Sequence, residues 1–224
     1  MLTVHHLNDS RSHRVLWLLE ELEVEYALVP YRRDPTTLAA PAALRSIHPL
    51  GKAPVVTDGE RTLAESGAVV ETLVERYGAG RLAPAPGTAE RERYTYWMHY
   101  AEGSVMPAVV LRLIFHSLPK QPMPALARPV VRQLAKSVVE GFVQPQIKVH
   151  FDYIERELAR STWFAGSEFT AADIQMSFPL EVMAPGLGAH HPRLAEYLAR
   201  VRERPAYRRA ITRGGPYDPS RLER

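Results

Sequence analysis

The sequence predicts a small α/β unit followed by an all-helical domain, and three observations lead there. Up to residue 77, strand-like and helix-like hydrophobic runs alternate in the order β-α-β-α-β-β-α. Residues 78–87 then hold three glycines and two prolines, the composition of a linker. Beyond them only helical spacing recurs, with no convincing strand and no internal repeat. These observations divide the chain into residues 1–78, a linker at 79–87 and a helical domain at 88–224.

Residues 2–6 make a short strand-like run ended by the turn cluster Asn8-Asp9-Ser10. Val15, Leu16, Leu18, Leu19 and Leu22 follow at helical spacing, with Glu20, Glu21 and Glu23 expected towards solvent. Residues 26–31 read as a second strand, and a short helix is expected at residues 41–47 of a proline-punctuated segment. Residues 55–57 and 61–64 form a hairpin pattern around Asp58-Gly59. Val69, Val70, Leu73 and Val74 share one face of a helix over 66–77. In the second domain the pattern gives one or two helices over 88–118 and a long one over 124–159, kinked or broken near Gly141 and Pro145. Helices over 171–183, 192–202 and 205–212 follow, with an irregular tail expected at 213–224.

Composition narrows the chemistry. The absence of cysteine excludes disulfides, thiolate metal sites and a cysteine nucleophile. A formal net charge of +3 is too small to argue for a nucleic-acid or membrane surface. Residues 193–224 carry nine arginines against four acidic residues, but without the interleaved aromatics of a nucleic-acid binder, so a solvated helical face is expected. No uninterrupted run of 18 apolar residues occurs, and the N-terminus is too polar for a secretory leader, so the expectation is a cytoplasmic protein. The pairs His5-His6 and His190-His191 lack the spacing and carboxylate company of a zinc site; no metal is expected.

Several short motifs bear on function. Ser10 and Ser12 sit where the first strand hands over to the first helix, a place that suits either a helix cap or a bound anion. Ser66 is well placed to cap its helix. Thr170 with Asp173 forms a capping-box variant, flanked by a hydrophobic staple of Phe169 and Ile174. Tyr94, Tyr96, Trp97, His99 and Tyr100 crowd one helix; such spacing suits a core, or a pocket wall on one face. Trp97, Tyr100 and Ser104 fall on one face of that helix, and His99, Gly103 and Met106 on another.

Taken in order, the stretches from Asn8 to Trp17, His48-Pro49-Leu50-Gly51-Lys52-Ala53-Pro54, Leu63-Ala64-Glu65-Ser66-Gly67, Tyr96 to Gly103 and Phe169-Thr170-Ala171-Ala172-Asp173 resemble the glutathione S-transferase superfamily, above all its fungal and bacterial GTT-like branch. The resemblance spans nearly the whole chain. It implies a thioredoxin-like first domain that binds glutathione, a helical-bundle second domain and a homodimer. It implies that Ser10, or alternatively Ser12, stabilises the glutathione thiolate, the reactive form of the thiol. Pro54 would be cis, Ala53 would pair with the cysteinyl backbone, and Lys52 would meet the glycyl carboxylate. Glu65 and Ser66 would grip the γ-glutamyl end, and Tyr100, Gly103, Ser104 and Met106 would border the pocket for a small hydrophobic electrophile. If neither serine serves the sulfur, backbone amides, Asn8 or Arg11 would. The activity implied is thiolate transfer to that electrophile; the alternatives are glutathione-dependent peroxide reduction and a non-catalytic binding or assembly role.

Overall fold

β1 (Leu2–Leu7) is the strand around which the first domain is built. In the computed structural model, which describes residues 1–34, 37, 39–184, 190–215 and 218, it occupies an inner position of a four-stranded sheet of order β2-β1-β3-β4. β1 leads into α1 (Ser12–Leu22) and the chain returns as β2 (Ala27–Tyr31) parallel to it, a βαβ unit. A 3₁₀ turn, Ala42–Ser46, stands where a short helix was expected. β3 (Val55–Asp58) and β4 (Arg61–Ala64) add antiparallel, and α2 (Ser66–Tyr77) closes the domain. Asp58 pairs with Arg61 as strand, so the hairpin turn is Gly59-Glu60, one residue later than the sequence suggested; Gly59 takes φ 62° there.

The second domain begins with α3 (Ala89–Tyr100), which runs without a break through a π-helical turn, Ala101–Val105, into α4 (Met106–Ser117). The second long helix repeats the device. α5 (Arg128–Val138) passes through a π-helical turn, Val139–Val143, into α6 (Gln144–Arg160). Gly141 lies inside that turn and Pro145 in the first turn of α6, so the interruption expected there is a π bulge rather than a break. α7 (Ala171–Met183), α8 (Pro192–Glu203) and α9 (Pro205–Gly214) complete the domain. Residues 213 and 214, expected in an irregular tail, belong to α9; residues 216, 217 and 219–224 of that expected tail lie outside the described residues. The helix through Ala89–Lys120 holds a window of mean hydropathy 1.2 and is long enough to cross a membrane, but Trp97, Val105 and Val109 on it belong to the same buried core as α6 and α7.

α1 joins the two domains. Val15, Leu16, Trp17, Leu18 and Leu19 are all fully buried, because the helix is covered by the sheet, α2, α7 and α9. Each such side chain contributes about 1.5–3 kcal/mol on leaving water, so this one helix carries much of the inter-domain adhesion. Its acidic residues do not all face solvent as the spacing suggested. Arg204 Nε lies 2.6 Å from Glu21 Oε1. Arg209 and Arg213 hold the two Glu20 oxygens at 2.9 and 3.1 Å. Among the three glutamates only Glu23 is exposed, and part of the arginine-rich C-terminal segment is a clamp.

Candidate active site

Strand register brings the motifs together. His5 pairs with Val55, and Val55 in turn pairs with Ala64. One step beyond that rung, β1 delivers His6, Leu7 and the Ser10 loop, β3 is preceded by Ala53-Pro54, and β4 is followed by Glu65-Ser66. All three motifs therefore meet at one end of the sheet. The Ala53–Pro54 peptide bond is cis, as the resemblance implied. Pro54 is buried, Ala53 half-buried and Lys52 exposed, reached through Gly51 at φ 57°.

Glu65 rather than Ser66 stands at the N-cap of α2. Its carbonyl accepts from Val69 N–H at 2.8 Å, and its own backbone sits at φ 72°, ψ 123°. Ser66 is the first helical residue, 5% exposed, so its hydroxyl and the unpaired N–H groups of the first turn lie together at a positive helix end. A non-glycine residue in that backbone region costs on the order of 1–3 kcal/mol and persists where the surroundings hold it.

The two serines of the first loop occupy different situations. Ser12 is fully buried at the start of α1; its Oγ accepts from Leu7 N–H at 3.1 Å and lies 2.9 Å from His6 Nδ1. Ser10, 4% exposed, lies 2.8 Å from both the Leu7 carbonyl and Ser12 Oγ, and it accepts from Ser12 N–H at 3.2 Å. His6 Nε2 is 3.1 Å from the Gly214 carbonyl of α9. A carbonyl can only accept, so Nε2 carries the hydrogen and Nδ1 is the acceptor. The Ser12 proton then has two acceptors, the buried Nδ1 lone pair and the Leu7 carbonyl at 3.1 Å, while the Ser10 hydroxyl donates to the Leu7 carbonyl.

Behind this loop the helical domain presents Glu102, from the π-helical turn. Arg11 Nε reaches it at 3.0 Å, and the fully buried Arg14 binds its other oxygen. Burial pushes the Glu102 pKa up, but Arg14 and Arg11 outweigh it and hold the carboxyl below its usual range. Arg14 also reaches Gln175 Oε1 of α7 at 3.4 Å and lies 5.2 Å from the Phe178 ring centre. Asn8 serves the fold: its side-chain oxygen accepts from Arg33 N–H at 2.8 Å.

The four pocket residues expected on the first long helix separate. The Tyr100 hydroxyl is 2.6 Å from His150 Nδ1 on α6, and its ring packs on Tyr96, Trp97 and Tyr153. Met106 is 4% exposed and part of the core. Gly103 is exposed and Ser104 half-buried, next to Glu102. Their spacing already divided them between two helix faces, and the π turn rotates the residues after it further off those faces. Asp173 is structural, as its spacing suggested: it accepts from Phe164 N–H and Thr170 N–H, each at 2.9 Å, completing a capping box on α7. Burial pushes its carboxyl up to about 7 in spite of those donors.

A cavity of about 470 Å³ between residues 80–84 and 165–170 is lined by Phe169 and Thr170 of the capping-box motif but by none of the residues gathered at the sheet end. No group of three metal-ligating side chains occurs among the described residues. Sequence reasoning passed over His6, Glu102 and Gln175 as site-supporting groups; the only trace of them in the sequence was the buried-strand position of His6 and the motif carrying Glu102.

Comparison with known proteins agrees with this geometry. The family model described as "Glutathione S-transferase, N-terminal domain" matches residues 1–75, and "Glutathione S-transferase, C-terminal domain" matches residues 121–205. The chain is 36% identical to glutathione S-transferase 3 of Schizosaccharomyces pombe over 210 residues, covering 93% of this chain and 86% of that one. A glutathione S-transferase structure from Actinobacillus pleuropneumoniae superposes with a TM-score of 0.81 at 32% identity, covering 99% and 96% of the two chains. A glutathione transferase from Phanerochaete chrysosporium, in complex with oxidised glutathione, shares the fold with a TM-score of 0.75 at 19% identity, covering 99% of this chain and 97% of that one.

Proposed function

The chain belongs to the glutathione S-transferase family, and from that premise we propose how its own residues carry glutathione transfer. Glutathione lies along the sheet end where β1, Pro54 and α2 converge. Ala53 pairs with its cysteinyl backbone in the manner of an added strand. Ser66 and the first-turn N–H groups of α2 take the γ-glutamyl carboxylate while Glu65 takes the ammonium. Lys52 meets the glycyl carboxylate. Ser10 turns its hydroxyl from Leu7 to the sulfur, favouring the thiolate. The small hydrophobic electrophile approaches past Gly103 and Ser104. The observation that carries this reading is the shared register of His5, Val55 and Ala64, which puts the three motifs on one edge.

Two further parts of the reading rest on other support. A homodimer is supported by apolar side chains left in water along the two long helices: Ile114 is 51% exposed, Val130 70%, Leu134 58% and Val149 66%. A cytoplasmic setting is supported by the use of reduced glutathione, which a reducing compartment maintains.

The decisive experiment follows thiolate absorbance of bound glutathione against pH. Ser10→Ala raises the thiol pKa by roughly one to two units, because a hydrogen bond to a charged sulfur is worth about 1.5–3 kcal/mol. kcat/KM near neutral pH falls in step and recovers at high pH. Ser12→Ala is the comparison: a shift confined to that variant would transfer the role to Ser12. With neither variant shifted, the thiolate is served by backbone amides, Asn8 or Arg11.

A further inference from the structure

We propose that His6 is the terminus of a hydroxyl relay, Ser10–Ser12–His6, that receives the proton glutathione loses on becoming a thiolate. The inference rests on the assignment of Ser10 to the sulfur and extends it. Its basis is an unbroken chain of short contacts: Ser10 Oγ to Ser12 Oγ at 2.8 Å, then Ser12 Oγ to His6 Nδ1 at 2.9 Å. Polarity is fixed at the far end, where the Gly214 carbonyl, 3.1 Å from Nε2, leaves Nδ1 as the open base. Both hydroxyls also reach the Leu7 carbonyl, at 2.8 and 3.1 Å, so the relay connects when Ser10 turns from that carbonyl to Ser12 and Ser12 donates to His6.

Proton and charge balance along this chain. The thiol S–H proton passes to Ser10 Oγ, the Ser10 proton passes to Ser12 Oγ, and the Ser12 proton passes to His6 Nδ1. A thiolate and an imidazolium result, with no change in net charge. Ser10 now carries the former thiol proton and donates it to the sulfur as a hydrogen bond. The imidazolium keeps its Nε2–H on the Gly214 carbonyl, a charge-assisted bond. Once the sulfur has attacked the electrophile, the proton returns along the same hydroxyls to the leaving group or to water.

Electrostatics around His6 suit a group that is neutral at rest and charged only while the thiolate exists. Burial lowers its pKa, while the Gly214 carbonyl and the charge of Asp9 act the other way. His13, on α1, is its other titratable neighbour and stays neutral, since burial first and His6 second push it down to about 3. The resting histidine is thus uncharged, and the thiolate created at the opposite end of the relay supplies the compensation that burial denies. Because Gly214 ends α9, the relay also ties the C-terminal helix to the reacting sulfur. A Cβ built on Gly214 would lie 2.7 Å from Leu16 Cδ1 and 3.3 Å from His6 Nε2, so a larger residue there would push the Leu16 side chain aside.

The test counts protons. Glutathione binding is followed by thiolate absorbance, and proton release by calorimetry in buffers of different ionisation enthalpy, for the wild type, His6→Phe, His6→Gln and Ser10→Ala. In the wild type near pH 7, thiolate forms with well under one proton released for each. Both His6 variants release one proton per thiolate and raise the thiol pKa by about one unit, although glutamine can still hydrogen-bond. A full proton released by the wild type, or wild-type behaviour in His6→Gln, overturns the relay. Should His6→Phe fail to fold, the wild-type count and the glutamine variant decide. Ser10→Ala separates the two levels: a raised thiol pKa there with unshifted His6 variants removes the relay alone, and no shift there removes the assignment of Ser10 and the relay with it.

Discussion

Ser66 shows how much one residue's position within a turn matters. Placed at the first helical position rather than at the cap, it keeps its hydroxyl beside the free N–H groups of α2, while the strained Glu65 backbone supplies the helix-opening carbonyl. Ser66→Ala removes one donor to a carboxylate, a charge-assisted bond worth about 1.5–3 kcal/mol, so glutathione affinity falls roughly tenfold or more. Calorimetric titration reads this directly; an unchanged Kd with an intact fold would take the hydroxyl out of the site. Arg14 illustrates the opposite case. It is a fully buried cation held by Glu102 and Gln175, and its worth lies in fixing the loop that carries Ser10 against the helical domain.

Among the elements, α7 is the most completely buried, and its start is correspondingly well tied down. The Asp173 carboxylate satisfies Phe164 N–H and Thr170 N–H and also takes the Thr170 hydroxyl at 3.2 Å. Thr170→Ala loses that bond and the one its hydroxyl takes from Asp173 N–H in the capping box, while Phe164 and Thr170 N–H stay paired, so denaturant titration shows a loss of about 1 kcal/mol, with glutathione affinity unchanged. A collapse of affinity at constant stability would instead make Thr170 a site residue. The π-helical turn at Ala101–Val105 is the second decisive element. Tyr100 before it meets α6, and Glu102 within it meets α1, so the helix is tied to a neighbour on each of two opposite sides at this point.

At the scale of the molecule, two surfaces remain to be distinguished: the one α1 shares with α2, α7 and α9, and the apolar one along α4, α5 and α6. The first is closed within the chain. The second leaves Val130 and Leu134 one helical turn apart in water, with Phe142 58% exposed farther along the same run. If the proposed homodimer forms through this face, Leu134→Asp combined with Phe142→Asp introduces charge there and yields a monomer in light scattering, while the thiolate spectrum of bound glutathione persists. A wild type that is monomeric at micromolar concentration would exclude the dimer.

Local patterns sufficed for much of this protein. Hydrophobic spacing marked α1, α2 and α7, and Thr170 with Asp173 announced the capping box, because each depends only on neighbours within a few residues. The order of the motifs located the sheet end, and the cis Ala53–Pro54 bond lies where the resemblance implied. What sequence could not decide were choices made by groups far apart in the chain. Whether Glu20 and Glu21 faced water depended on arginines nearly 190 residues away. Which serine is tied to His6 depended on the fold of the loop, and the tautomer of His6 depended on a carbonyl 208 residues distant. Hydrogen-bond polarity and burial belong to the assembled neighbourhood and leave no local period in the sequence, so only the tertiary structure could assign them.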